Sequence, residues 1–404
     1  MNSIAERYVK LVLRVGQHDK NFVDAYYGDP AWKPTGPALT LTELGAEAEA
    51  LRKEVRATPV PPAIDAIGRL RRDYLDRQLG AVETRVAMLG GQKLPFDDEA
   101  ERLYDARPPN KAESEFRPVL DALAKLLPGK GSLVDRYAAF REKYVIPKDK
   151  VDGVFRAAIE GCRSRTLAHL QLPPGETFTV EYVTGKSWSA YNWYKGNFTS
   201  VIQVNMDLPI TIDRAIDLAC HEGYPGHHVY NALLEQHLVK ERGWVEFSVY
   251  PLFSPQSLIA EGTANFGIEV AYPGESRTAF EREKLYPLAG IDPSTAQTYN
   301  AVQMQIAKLS YAGNEAARRY LNGEISREAA AAWLQKWAMS PKDRAEQRTR
   351  FFDEYRSYVI NYNFGQDIVR SYVDRSGGTE DKPEERWKIF GELLSTPRVP
   401  SGLR

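Results

Sequence analysis

Three of the chain's six histidines fall within eight residues, His221-Glu222-Gly223-Tyr224-Pro225-Gly226-His227-His228. Neutral imidazole is a preferred zinc ligand, and a carboxylate beside it can take a proton from water that such a metal polarises. The familiar form of this chemistry is His-Glu-x-x-His on a helix, where positions i and i+4 share a face. Here two extra residues separate His221 from His227, and one of them is Pro225. On an unbroken helix, positions six apart point about 120° away from each other. Two zinc-bound nitrogens must lie roughly 3.3 Å apart if each bond is about 2.0 Å in a tetrahedral site. Pro225 removes a helical N–H and Gly226 permits unusual dihedrals. A Pro-Gly bulge that absorbs two residues would return His227 to the place of an i+4 ligand. Reaching His228 would take a larger distortion, so His228 is expected to line the cleft, as a substrate hydrogen-bond donor or as a partner of a ligand. The competing reading is a helix that ends at Tyr224 and restarts, with incidental histidines.

A third ligand is sought downstream. Glu261, in Ala260-Glu261-Gly262-Thr263-Ala264-Asn265, lies in a helical pattern from Ser257 to Val270 among small and apolar residues. Asn265 is one turn further on the same face and is placed to orient a ligand imidazole. Glu269 is the alternative carboxylate. For oxyanion stabilisation the candidates are Tyr311, Tyr355, Tyr358, Tyr362 and Tyr372, near Arg356, Gln366 and Arg370. Tyr362 ranks first and Tyr358 second, because Tyr362-Asn363-Phe364-Gly365-Gln366 reads as an interrupted helix. Arg356 and Arg370 are the arginines available to a terminal carboxylate.

Around this motif the chain reads as helix. Ile4 to Val15, Thr42 to Arg56, Ala63 to Leu89, Glu99 to Arg107, Ala112 to Leu127, Leu133 to Tyr144 and Lys148 to Leu170 carry apolar residues at helical spacing. Pro-Pro, Pro-Gly and Gly-Gly pairs separate several of them. After Pro173-Pro174-Gly175 come three strand patterns, Thr177 to Tyr182, Ser189 to Tyr194 and Thr199 to Asn205, the last two turning at Lys195-Gly196-Asn197. Thr211 is a plausible N-cap for the helix of the motif, which is expected to continue to about Val239. Tyr191-Asn192-Trp193-Tyr194 reads equally as an edge strand open to an extended peptide and as an aromatic strand packed on the core. From Pro255 onward the pattern is helical again, with a long segment from Lys342 to Tyr358. The expected fold is mainly α, with a helical lobe at 1–172 and a catalytic lobe at 173–404 that carries the small sheet.

The His221-Glu222-x-x-Pro225-Gly226-His227-His228 motif, the preceding sheet and the downstream Glu261-Gly262-x-Ala264 together resemble the bacterial family known as domain of unknown function 885. That family is similar to the gluzincin metallopeptidases of the angiotensin-converting-enzyme and thermostable-carboxypeptidase types. The resemblance is specific from about Trp188 to Val270 and general elsewhere. It implies a two-lobed helical fold with a deep cleft, one zinc ion at the cleft floor, and peptide substrates. It also implies His221, His227 and Glu261 as ligands and Glu222 as general base. The chain looks shorter than typical members, which puts an insertion over the cleft in doubt.

With 404 residues there is enough chain for a large core, and 43% hydrophobic with 26% charged residues is ordinary for a globular protein. A net charge of −1 gives no electrostatic reason to bind nucleic acid. No apolar run is long enough for a membrane span and no leader pattern opens the chain, so a cytoplasmic location is expected. Cys162 and Cys220 make no disulfide framework, which fits a reducing compartment. Three functions compete: a zinc peptidase, a zinc hydrolase of another small amide or ester, and a non-enzymatic helical protein with a structural metal or none.

Overall fold

The computed structural model describes residues 1–59, 66–186, 188–207 and 209–404. The chain is mainly α. The N-terminal helices are α1 Asn2–Val15, α2 Leu41–Ala57, α3 Ala66–Leu89, α4 Phe96–Tyr104, α5 Glu113–Leu126, α6 Leu133–Glu142 and α7 Val151–Leu167. Their start and stop signals are visible in sequence. Thr40 and Glu43 form a capping box on α2, and the Ser132 hydroxyl accepts from Asp135 N–H at the start of α6. The expected start of α3 at Ala63 lies outside the described residues.

Between α1 and α2 a short strand, β1 Val23–Tyr26, pairs antiparallel with β5 Val249–Pro251, far along the chain. The register shifts between Val23 and Ala25, so Asp24 sits in a bulge. Bulges re-aim side chains and are common beside active sites. The remaining strands, β2 Thr177–Val183, β3 Ala190–Gly196 and β4 Thr199–Asn205, form a sheet in the order β2-β4-β3. Strands β3 and β4 are the expected hairpin, turning through positive φ at Gly196, Asn197 and Phe198. The Glu235 carboxylate accepts the N–H groups of Asn197 and Phe198 and holds that turn.

The motif follows in α8 Ile212–Leu218, a π-helical turn Ala219–Gly223, and α9 His227–Leu234. Helix α10 Pro255–Ala271 runs through the centre with nearly every residue buried. The rest is α11 Ser276–Phe280, α12 Tyr286–Ala289, α13 Ala296–Ala307, α14 Tyr311–Leu321, α15 Arg327–Trp337, α16 Lys342–Tyr355, α17 Ile360–Arg375 and α18 Pro383–Leu394. Buried residues from 1–172 and from 173–404 belong to one hydrophobic cluster, and the β1–β5 pairing crosses the expected lobe boundary. The two segments therefore share one core.

Helices α10 and α17 pack at backbone contact. A Cβ on Gly262 would lie 2.5 Å from the Gly365 carbonyl, which explains glycine at both positions. Gly365 thus marks a close approach, and the interrupted helix expected at Tyr362–Gln366 is instead continuous within α17. The break falls earlier, at Arg356, whose φ is 49°.

Candidate metal centre

Between His221 and His227 the chain leaves the helix for three residues, Tyr224 to Gly226. After the π turn, Tyr224 is extended (φ −119°, ψ 117°), the Tyr224–Pro225 peptide is cis, and Gly226 caps α9. Gly226 N–H donates to the Cys220 carbonyl at 3.0 Å. A Cβ at Gly226 would sit 1.8 Å from the His221 carbonyl oxygen, so only glycine fits there. The helix does end and restart, as in the competing reading, yet the histidines meet. His221 Nε2 and His227 Nε2 are 3.1 Å apart.

Glu261 joins them from α10. Its Oε2 lies 3.3 Å from His221 Nε2 and 3.8 Å from His227 Nε2. Bond lengths of about 2.0–2.1 Å in a tetrahedral site require donor separations of about 3.3–3.4 Å. The three separations bracket that edge. Glu261 Oε2 is buried without a hydrogen bond, an orphaned acceptor facing the two imidazoles. Its other oxygen accepts from the Tyr358 hydroxyl at 2.7 Å. The residues present therefore fit a zinc ion. Among the described residues they form the His/Cys/Asp/Glu group able to hold a metal.

The neighbours fix how these donors point. Asn265 donates through Nδ2 to the Tyr362 carbonyl at 2.9 Å, which sets its amide orientation. Its Oδ1 then accepts from His221 Nδ1–H at 3.1 Å, leaving the Nε2 lone pair toward Glu261 and His227. Glu222 is 6% exposed, and its backbone carbonyl is anchored by Asn192 Nδ2 at 2.7 Å from β3. Strand β3 is an edge of its sheet and lies over the π turn.

Without a cation the cluster is electrostatically crowded. Burial, reinforced by the charge of Glu261, raises the Glu222 carboxyl to about 7, against the pull of His221. Burial lowers His227 to about 4, helped by His221 and opposed by Glu261. His221 is raised: burial opposes protonation, but Glu261 and Glu222 outweigh it. The crowding thus favours the protonated form of His221 and the neutral form of His227.

His228 does not line the cleft. It is fully buried on the opposite side of the turn, with Nε2 3.0 Å from Glu176 Oε2 and Nδ1 2.9 Å from Ser200 Oγ. Its direction follows from α9 restarting at His227, which turns the next side chain about 100° away. Glu176 also accepts from the Tyr224 hydroxyl at 2.6 Å and from Arg163 at 2.8 Å. That network clamps the non-helical turn. Tyr358 is not a free donor either, since its hydroxyl is committed to Glu261. Tyr362 keeps an unpartnered hydroxyl among the described residues. Burial and the charges of Glu261 and Glu222 hold it protonated despite Arg348. Tyr311 donates to Asp367. Glu269, the alternative ligand, is taken by Gln366 and Arg370.

Two features had no legible signal. Asp24, from the β1 bulge, faces the cluster. Burial, then Glu261 and Glu222, pushes its carboxyl up to about 8. Cys162 of α7 and Cys220 of the π turn form a disulfide with Cα atoms 5.6 Å apart, correcting the expectation of two unlinked thiols. Their 58-residue separation says nothing about proximity.

No family model matches the chain, and no curated protein matches it. Among solved structures, one from Colwellia psychrerythraea, described as a candidate lipoprotein, superposes with a TM-score of 0.52 at 13% identity. The match covers 88% of this chain and 65% of the Colwellia protein's own length. A protein of unknown function from Shewanella oneidensis, likewise described as a candidate lipoprotein, gives 0.47 at 14% identity, covering 88% and 72%. The Colwellia match shows a shared fold. No helix among the described residues is long and apolar enough to cross a membrane.

Proposed function

We propose that this protein is a zinc-dependent hydrolase, and most specifically a metallopeptidase of the type the sequence resemblance implies. The observation that carries the proposal is the convergence of His221 Nε2, His227 Nε2 and Glu261 Oε2, with Glu222 adjacent in sequence to the first of them. A bound zinc ion would polarise a carbonyl and make water acidic near neutral pH. Glu222 takes the proton from the attacking water and returns it to the leaving amine. Tyr362 donates to the oxyanion, a contribution typically worth about 2.7–4 kcal/mol. Tyr358 and Asn265 position Glu261 and His221.

The Cys162–Cys220 disulfide speaks for an oxidising compartment rather than the expected cytoplasm, because such bonds persist where glutathione does not reduce them. Thiol labelling of protein from its native cells decides between the two.

The test of the proposal is zinc content together with the Glu222→Gln variant. Protein purified without added metal is expected to carry close to one zinc per chain. Glu222→Gln is expected to keep that zinc and lose about 10²–10⁴-fold in turnover on a peptide library. Zinc well below one equivalent, after gentle purification, favours a non-enzymatic role. Loss of zinc with activity in Glu222→Gln assigns Glu222 to the metal instead.

A further inference from the structure

The chain's two cysteines are joined to each other, and the bond falls beside a proposed ligand. Cys220 immediately precedes His221 in the π turn. Its carbonyl accepts from Gly226 N–H at 3.0 Å, where α9 and His227 begin. One residue thus touches both sides of the histidine pair. Cys162 stands on α7 next to Arg163, whose guanidinium binds the same Glu176 that clamps Tyr224 and His228. Both cysteines are fully buried.

Helix α7 is in turn tied to the helix that carries the third ligand. Arg165 donates to the Ala271 carbonyl at the end of α10 at 3.0 Å, and its guanidinium carbon lies 4.2 Å from the Tyr272 ring centre. Gly161 packs so closely on Tyr272 and Phe280 that a Cβ there would overlap the Tyr272 hydroxyl. The disulfide therefore closes a circuit. It runs from His221 to Cys220, across the bond to α7, from α7 to α10, and along α10 to Glu261. A binding constellation works only while its groups stay within about 0.5 Å of the productive geometry. With the bond open, the π turn and the restarted helix are no longer covalently fixed to the frame that holds Glu261.

We infer that the Cys162–Cys220 pair is a redox gate on the metal centre: the oxidised chain holds zinc, and the reduced dithiol chain lets it go. The inference rests on the zinc reading above and adds its regulation. The chemistry is thiol–disulfide exchange with an external dithiol. One thiolate of the dithiol attacks a cysteine sulfur, forms a mixed disulfide and releases the other cysteine. The second thiol of the reductant then displaces the cysteine that remains. Two electrons and two protons end on Cys162 and Cys220, and the reductant leaves as its own disulfide. Closure runs the same steps backward with a small disulfide as oxidant. Linkage makes the gate reciprocal: the factor by which the bond raises zinc affinity is the factor by which zinc protects the bond.

The experiment uses the full chain in three forms. These are the oxidised protein, the protein reduced with a phosphine and freed of it without oxygen, and Cys162→Ser, which opens the bond without altering the π turn. Alkylation and mass analysis confirm the thiol state. Zinc competition with a chromophoric chelator is expected to show affinity about 10–100-fold lower in the two opened forms, the range for groups that hold a metal ligand in place. Circular dichroism should stay the same, and reoxidation with a small disulfide should restore the affinity. Hydrogen exchange on zinc-free protein gives a readout that needs no metal: amides from Cys220 to His228 should exchange faster in both opened forms. Equal zinc affinity and equal exchange in all three forms overturn the inference and leave the zinc reading standing. Zinc loss that comes only with collapse of the helical signal also overturns it, since that is unfolding rather than a gate. Weak binding in Cys162→Ser beside normal binding in the reduced parent assigns the effect to the substitution and overturns it as well. Failure of every form to bind zinc rejects the inference and the zinc reading together.

Discussion

Asn265 offers the sharpest test of how the metal centre is built, because it touches one ligand and no proposed substrate group. Its Oδ1 accepts from His221 Nδ1–H at 3.1 Å, and its Nδ2 donates to the Tyr362 carbonyl at 2.9 Å. The first bond fixes the tautomer that leaves Nε2 free for a metal. Losing such a partner commonly weakens metal binding 10–100-fold, or about 1.4–2.7 kcal/mol. Asn265 is only partly buried, so water can replace the lost acceptor in Asn265→Ala. The expected loss of zinc affinity is therefore near the tenfold end of that range. The second bond matters less to the metal, since α10 and α17 remain docked through Gly262 and Gly365.

Asn265→Asp separates the two bonds. It restores an acceptor to His221 and makes the imidazole more basic, so zinc affinity should equal or exceed that of the parent. It also sets a carboxylate against the Tyr362 carbonyl, so the melting temperature should fall. The assay is zinc competition with a chromophoric chelator at fixed pH, with circular dichroism to confirm the fold. Unchanged affinity in a well-folded Asn265→Ala, or Asn265→Asp weaker than Asn265→Ala, would refute the orienting role.

Two further outcomes follow from the same geometry. His228→Ala should leave zinc stoichiometry unchanged but destabilise the protein by about 3–5 kcal/mol, because a fully buried ring is deleted and Glu176 loses a partner; chelator competition and denaturant melts read the two effects, and loss of zinc with full stability would contradict this. Asp24→Asn should stabilise the metal-free protein, increasingly so as pH rises. The folded-state carboxyl is raised to about 8, so ionising it costs stability as pH climbs from its ordinary value toward 8, while below that ordinary value Asp and Asn are equivalent. The gap should reach about 1–2 kcal/mol at the alkaline end, discounted for partial exposure, and shrink when zinc is restored. Thermal melts of chelator-treated protein at about pH 5 and about pH 8.5 check it, and a gap independent of pH would remove Asp24 from the cluster.

What could be read from sequence was what depends on residue type and short spacing. His221, Glu222, His227, Glu261 and Asn265 are legible because three of them share eight residues and the other two share a helix face. Strand β4 and the Gly196 turn were legible from alternation and turn chemistry. What depends on long-range packing was not. Asp24 reaches the cluster only because β1 pairs with β5. Glu176 matters only because the non-helical turn presents Tyr224 and His228 to it. Tyr358 and Tyr362 differ in availability because one turn of helix aims the first hydroxyl at Glu261. Arg356 and Arg370, the arginines the sequence offers to a terminal carboxylate, are taken by Glu99 and Glu269, which only the three-dimensional fold brings beside them.

The spacing of the histidines shows how a local argument can select the right ligand through the wrong distortion. Looping two residues out of a continuous helix is the smallest change that makes His227 equivalent to an i+4 ligand. The chain instead abandons the helix for three residues and begins a new one at His227. A restart adds freedom, because the new axis need not follow the old one, and that freedom must be removed if the two imidazoles are to stay within 3.1 Å. Three contacts remove it. Gly226 lies against the His221 carbonyl where no side chain fits. The Cys162–Cys220 disulfide ties the π turn to α7. Glu176 holds Tyr224 on one side of Pro225 and His228 on the other. The second histidine of the pair is thus spent on securing the first, which is why its ring faces Glu176 and Ser200 rather than the ligand cluster.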